Sequence, residues 1–128
     1  MIGYVTLGTN DLPRAVKYYD ALFDSIGVAR SMEEDNHYVV WAPAPDAPAI
    51  SVVVPFNKES ATVGNGVMVA LSMESVEKVD AFYQKALELG GVNEGKPGFR
   101  PEGGDKGFYC GYFRDLDGNK LNAFSLVQ

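Results

Sequence analysis

Apolar residues along this chain switch between a period of two and a period near four, and the switch happens twice. Around Val5 and Leu7 the alternation is that of a half-buried strand, and Val16, Tyr19, Leu22 and Phe23 then fall on one face of a helix. Val69 and Leu71 repeat the strand, and Val79, Phe82, Ala86 and Leu87 repeat the helical stripe. Laying residues 3–27 over residues 67–91, an offset of 64, brings Val5 onto Val69, Leu7 onto Leu71, Tyr19 onto Tyr83 and Gly27 onto Gly91. A repeat of this kind bears on the architecture before any motif does. Asp11 and Ser75 suit the position before each helix, where a short side-chain oxygen accepts a first-turn N–H. Pro13 fits the first turn, and Gly27 and Gly90 can adopt the left-handed conformation that ends a helix.

Short strand-like runs follow each helix: His37–Ala42 and Ile50–Pro55 in the first half, Phe108–Arg114 and Lys120–Leu126 in the second. Weaker strands near Val28–Met32 and Val92–Glu94 complete two βαβββ modules. The expected fold class is α+β: two modules forming a curved mixed sheet with a concave cleft and helices on the outer face. Residues 1–128 are read as a single domain, with module 1 at about 1–60 and module 2 at about 64–128. Aligning Ser51 with Asn122, an offset of 71, pairs Trp41 with Tyr112. Period-2 alternation then turns Val5, Leu7, Val52, Val69, Leu71, Leu121 and Ala123 toward the helices. Tyr4, Val39, Trp41, Ser51, Met68, Cys110, Tyr112 and Asn122 face the other way. That face is too apolar for open water, so it lines a ligand-sized cleft or forms a second core layer.

Composition narrows the classes. A hydrophobic share of 46% against a charged share of 22% is that of a globular chain, not a disordered one. The net charge of −6 and the scattered lysines disfavour nucleic acid and anionic membranes as partners. The single cysteine, Cys110, excludes an internal disulfide and a multi-thiolate zinc site. The opening residues lack a signal-peptide pattern and no apolar run is long enough for a membrane span, so a cytoplasmic location is expected. No nucleophile elbow, phosphate-binding loop or dinucleotide fingerprint occurs.

Asn93–Gly107 carries five glycines and two prolines and reads as a loop over the cleft entrance. Its one guanidinium, Arg100, either docks a ligand carboxylate or phosphate through a bidentate fork or pairs with an acid such as Glu102. Cys110 lacks an evident base or helix N-terminus to activate it and reads as a buried, unreactive thiol. His37, the only histidine, falls at the cleft rim, where a hydrogen-bonding role is the simpler reading. Asp115 and Asp117 shape a turn.

"TLGTNDLPRAVKYYDALF", "GNGVMVAL" and "YFRDLDGNKL" together resemble the glyoxalase / bleomycin resistance / dioxygenase superfamily, also called vicinal oxygen chelate proteins. "FRDLDGN" is similar to the family's F-x-D-P-D-G-N turn, with Leu116 in the proline position. In metal-dependent members, inward positions of the first and fourth strands of each module hold His or Glu ligands. The resemblance maps those positions onto Tyr4, Ser51, Met68 and Asn122, none a good donor for a hard or borderline divalent ion. No metal and no cofactor is therefore expected, and Asn122 should line the cleft near Tyr4, Ser51 and Met68. The resemblance implies a binder of small aromatic or amphipathic molecules, using Tyr4, Trp41, Ser51, Met68, Arg100, Cys110, Tyr112, Asn122 and Phe124. A glyoxalase-type lyase or isomerase acting on a small carbonyl compound, and a dimeric interaction module without catalysis, are the alternatives. Family members commonly pair, so a homodimer is expected.

Overall fold

Asp11 caps the first helix by accepting the Arg14 N–H at 3.1 Å, and Ser75 caps the second by accepting the Lys78 N–H at 3.2 Å. Each satisfies an N–H that the first helical turn leaves without a partner. In the computed structural model, which describes residues 1–128, the elements come in the order β1 (Tyr4–Gly8), α1 (Leu12–Asp24), β2 (Ala29–Glu34), β3 (Tyr38–Ala42) and β4 (Ala49–Val53). The second half repeats it as β5 (Val69–Ser72), α2 (Val76–Glu88), β6 (Val92–Arg100), β7 (Gly107–Arg114) and β8 (Lys120–Val127). Gly27 and Gly90 follow the helices with φ of 74° and 111°, a region where a side chain would be strained.

The chain divides into two units, Met1–Gly64 and Asn65–Gln128. Each holds one four-stranded mixed sheet, β1-β4-β3-β2 in the first and β5-β8-β7-β6 in the second. The fold is thus two βαβββ modules with two sheets. The first strand of each unit pairs in parallel with the last, and the remaining pairs are antiparallel. No helix is long and apolar enough to cross a membrane.

Each helix packs on its own sheet. In the first unit Ala15, Tyr18, Tyr19, Leu22 and Phe23 are the buried residues of α1. In the second, Val79, Phe82, Tyr83 and Ala86 of α2 are buried, with Phe82 edge-on to Phe113 of β7 at 6.1 Å.

Two expectations are corrected here. Trp41 and Val39 do not face the open side of their sheet. Trp41 is 2% exposed, lies 5.7 Å from both Tyr19 and Phe23 of α1, and donates its indole N–H to Asp20 at 2.9 Å. The cause is one residue of loop length. The cross-strand partner of Ser51 is Val40, whereas that of Asn122 is Tyr112, so β3 corresponds to β7 at an offset of 72. A one-residue shift moves every side chain of a strand to the opposite face. Trp41 is therefore the counterpart of Phe113, and it is removed from the binding set.

The second correction concerns Asn93–Gly107, half of which lies in the nine-residue strand β6. Its register with β7 slips between Asn93 and Gly95 and again between Gly95 and Gly98. Bulges on an edge strand accommodate glycine and leave Pro97 without a ladder bond to make.

Candidate functional site

The open face of each sheet, the one its helix does not cover, presents a different chemistry. On the first sheet, β1 contributes Tyr4 and Thr6, β3 contributes Tyr38, Val40 and Ala42, and β4 contributes Ala49, Ser51 and Val53 to a cavity of about 540 Å³. The Ala44–Ala47 loop and Met32 of β2 form further walls. Thr6 stands beside Ser51 across the parallel ladder, and Val40 stands beside it on the other side. Ser51 is 3% exposed, so it sits at the floor, whereas Tyr4 is 70% exposed at the margin. His37 lines the same cavity with its Nδ1 2.9 Å from Glu34 Oε2, its ring edge-on to Tyr38 at 5.1 Å. It is a hydrogen-bonding residue at the rim.

On the second sheet, Tyr112 of β7 and Asn122 of β8 are direct cross-strand neighbours, as are Cys110 and Phe124. Phe124 stacks on Phe108 at 5.1 Å. Cys110 is fully buried and unpaired. Asn122 is 1% exposed, and neither its amide nitrogen nor its oxygen makes a hydrogen bond. Buried polar atoms are nearly always paired, so an amide with both ends unmatched stands out. Its position follows from the flanking residues: Leu121 and Ala123 are wholly buried on the helix side, which leaves Asn122 the open face. Met68 lies just before β5 and is 40% exposed.

The Tyr112 hydroxyl is held above its ordinary pKa, first by the Cys110 thiol beside it and then by burial. The nearby Asn122 amide and the Arg100 charge pull the other way, although the amide and the phenol do not meet with hydrogen-bond geometry. The phenol thus stays protonated and available as a donor. Arg100 does not pair with Glu102 or any other acid. Its Nη2 donates to the Lys96 carbonyl at 2.9 Å and its Nη1 to the Phe99 carbonyl at 3.3 Å, and its guanidinium carbon sits 5.7 Å from the Tyr112 ring centroid. The side chain runs back along its own strand over two glycines. A methyl built on Gly98 would come within 3.2 Å of Arg100 Nη1, and one on Gly95 within 3.5 Å of Nη2.

No group of three or more His, Cys, Asp or Glu side chains gathers to hold a metal ion. At Tyr4, Ser51, Met68 and Asn122, the positions onto which the resemblance maps the metal ligands, the donors are a phenol, a hydroxyl, a thioether and an amide. These do not fit a hard or borderline divalent cation. Sequence reasoning overlooked Thr6, Tyr38, Val40 and Lys120. Thr6 follows from Tyr4 by strand alternation, and Tyr38 and Val40 follow once the offset is taken as 72.

The model of the glyoxalase/bleomycin resistance protein/dioxygenase superfamily matches residues 1–123. Among solved structures, a glyoxalase/bleomycin resistance protein from Albidiferax ferrireducens T118 is 33% identical, with 98% of each chain covered and a TM-score of 0.85. A hypothetical protein from S. aureus is 24% identical, with 98% of this chain and 92% of that one covered and a TM-score of 0.73. A glyoxalase-related enzyme from Fulvimarina pelagi is 17% identical at the same TM-score, with 98% of this chain and 87% of that one covered. No functionally curated protein matches. With two βαβββ modules, the aspartate-glycine turn before the last strand and a match over nearly its whole length, the chain belongs to the glyoxalase/bleomycin resistance protein/dioxygenase superfamily.

Proposed function

We propose that this protein binds a small aromatic or amphipathic molecule without the help of a metal, rather than catalysing the metal-dependent chemistry of its superfamily. The observation that supports this reading is the cavity on the first sheet, whose volume of about 540 Å³ suits a small organic ligand. Tyr4 and Tyr38 offer flat apolar surface with a polar tip, at little cost in side-chain entropy. Met32, Val40 and Val53 add apolar wall, and Thr6 and Ser51 supply hydroxyls that fix orientation. Residues that would carry an enediolate reaction, a carboxylate or imidazole base beside a metal, are missing from the mapped ligand positions.

Thermal-shift screening with planar aromatic compounds tests the reading. Val40→Trp fills the cavity from the middle of its floor and should abolish the shifts that the parent protein gives. Shifts that persist unchanged in this variant would place binding elsewhere, and a broad library without a single hit would sink the reading. Homodimerisation belongs to the same proposal, supported by apolar residues left in solvent such as Ile2, Phe56, Val63 and Val67. Light scattering gives the mass directly.

A further inference from the structure

Two cations flank one ring on the open face of the second sheet. Arg100 lies 5.7 Å and the Lys120 ammonium 5.3 Å from the Tyr112 ring centroid. Neither is among the ion pairs of the protein; Arg30 is matched by Asp20 and Glu33, Lys78 by Glu74, and Arg114 by Glu94. The Lys120 charge is felt weakly by the Glu94 carboxylate, which is itself held by Arg114 at 2.8 Å. The chain has 17 acidic residues against 11 basic ones, so unmatched neighbouring cations are not a matter of supply. Arg100 is instead fixed by two backbone carbonyls, which occupy two of its N–H groups and leave its charge uncompensated. An arginine anchored in this way is preorganised for a ligand that brings the negative charge.

The second, independent observation is Asn122. It stands opposite Tyr112 on the same face, buried, with both amide atoms unpartnered. A protonated phenol, the Asn122 amide N–H and the remaining guanidinium N–H groups are all donors, while the Asn122 Oδ1 is an acceptor that takes no part in holding an anion. Together the donors suit an acceptor with two oxygens and a full charge. We infer that the open face of the second sheet binds a carboxylate, with Arg100 as its charged fork, Tyr112 and Asn122 as neutral donors, and Lys120 as an outer cation. Arg100 and Tyr112 are the half-buried members that meet the anion first, and Asn122 is the innermost donor. The stacked pair Phe108 and Phe124, next along the face from Cys110, provides apolar surface for the body of the molecule. The chemical class is a small aromatic carboxylate. This inference rests on the second unit alone and does not depend on the cavity proposed above.

Calorimetric titration of the intact protein with benzoate, benzamide and inorganic phosphate at low ionic strength tests it. Benzoate should bind more tightly than its neutral isostere benzamide, and Arg100→Gln should weaken benzoate roughly tenfold, as loss of a charge-assisted pair does, while leaving benzamide unchanged. Gly98→Ala keeps every charge and moves only the fork, so a several-fold loss of benzoate affinity there separates geometry from general electrostatics. Benzoate and benzamide binding equally, or benzoate indifferent to Arg100→Gln and Gly98→Ala, would overturn the site. Arginine-dependent binding of phosphate without benzoate would overturn the carboxylate assignment. Neutral aromatics that bind regardless of Arg100 would leave the first-sheet cavity standing and this inference refuted; no binding of any aromatic would count against both.

Discussion

Asn122→Leu removes two buried, unpartnered amide atoms and replaces them with two methyl groups in nearly the same shape. Leaving a buried polar atom without a partner costs about 1–3 kcal/mol, and an apolar isostere removes that penalty. The methyls are larger than the atoms they replace, which offsets about 1 kcal/mol through crowding. The cross-strand neighbour on β5 is Ala70, a small residue that leaves room. The net gain should be roughly 1–2 kcal/mol, or a rise in Tm of about 3–6 °C for a chain of this size. Urea denaturation followed by the fluorescence of Trp41, the only tryptophan, measures it. The midpoint should rise with an unchanged slope, since the surface exposed on unfolding is the same. Benzoate affinity should fall in the same variant, a gain in stability at the expense of a binding donor. A loss of about 1 kcal/mol or more would mean that the amide is well hydrogen-bonded in solution, and the reasoning would fail.

Asp115 accepts the Asp117 and Asn119 N–H groups at 2.9 Å and the Asn119 amide at 3.0 Å while 4% exposed, so Asp115→Ala strands several donors in the turn before β8. The expected cost is about 3 kcal/mol by chemical denaturation, against less than about 1 kcal/mol for Asp115→Asn, which retains an acceptor. Asp20 is held below its ordinary pKa first by Arg30, with Trp41 adding to the effect and burial opposing it. A depressed folded-state pKa gives stability that is present above the unfolded value near 3.9 and lost as pH falls through the folded one. An acid titration should therefore shift Trp41 emission below about pH 4 in the parent, and Asp20→Asn should remove that component.

The repeated architecture was legible because its signals are local. Asp11, Ser75, Gly27 and Gly90 act through contacts within a few residues, so their roles follow from identity and position alone. The helical stripes hold at Tyr19, Leu22 and Phe23 and at Val79, Phe82 and Ala86; Ala15 and Tyr18 are buried in place of Val16, and Tyr83 in place of Leu87. Trp41 was misplaced because strand parity relative to β4 depends on the length of the loop that joins the two strands. The segment from Ala42 to Ala49 holds one residue more than its counterpart between Arg114 and Lys120 requires, and an amino-acid pattern contains no ruler for that. In β6, the glycines and Pro97 disguised a strand, because bulges let an edge tolerate residues that a central strand excludes. On the candidate site, Asn122 and Tyr112 were reachable by alternation. The freedom of Arg100 from Glu102 was not, since it depends on how the chain returns over Gly95 and Gly98.

The last strand of each unit is inserted between two earlier ones: β4 separates β1 from β3, and β8 separates β5 from β7. During synthesis, β1 has no strand partner until residues near Ala49 have emerged, and meanwhile β2 and β3 can only form a hairpin beside an open slot. Because both units leave a slot at the same place in the strand order, β8 can compete for the gap that β4 must fill. Vectorial synthesis resolves the contest, since β4 emerges more than sixty residues ahead of β8 and closes its unit first. Refolding from denaturant removes that head start, and strand exchange within or between chains becomes the characteristic error.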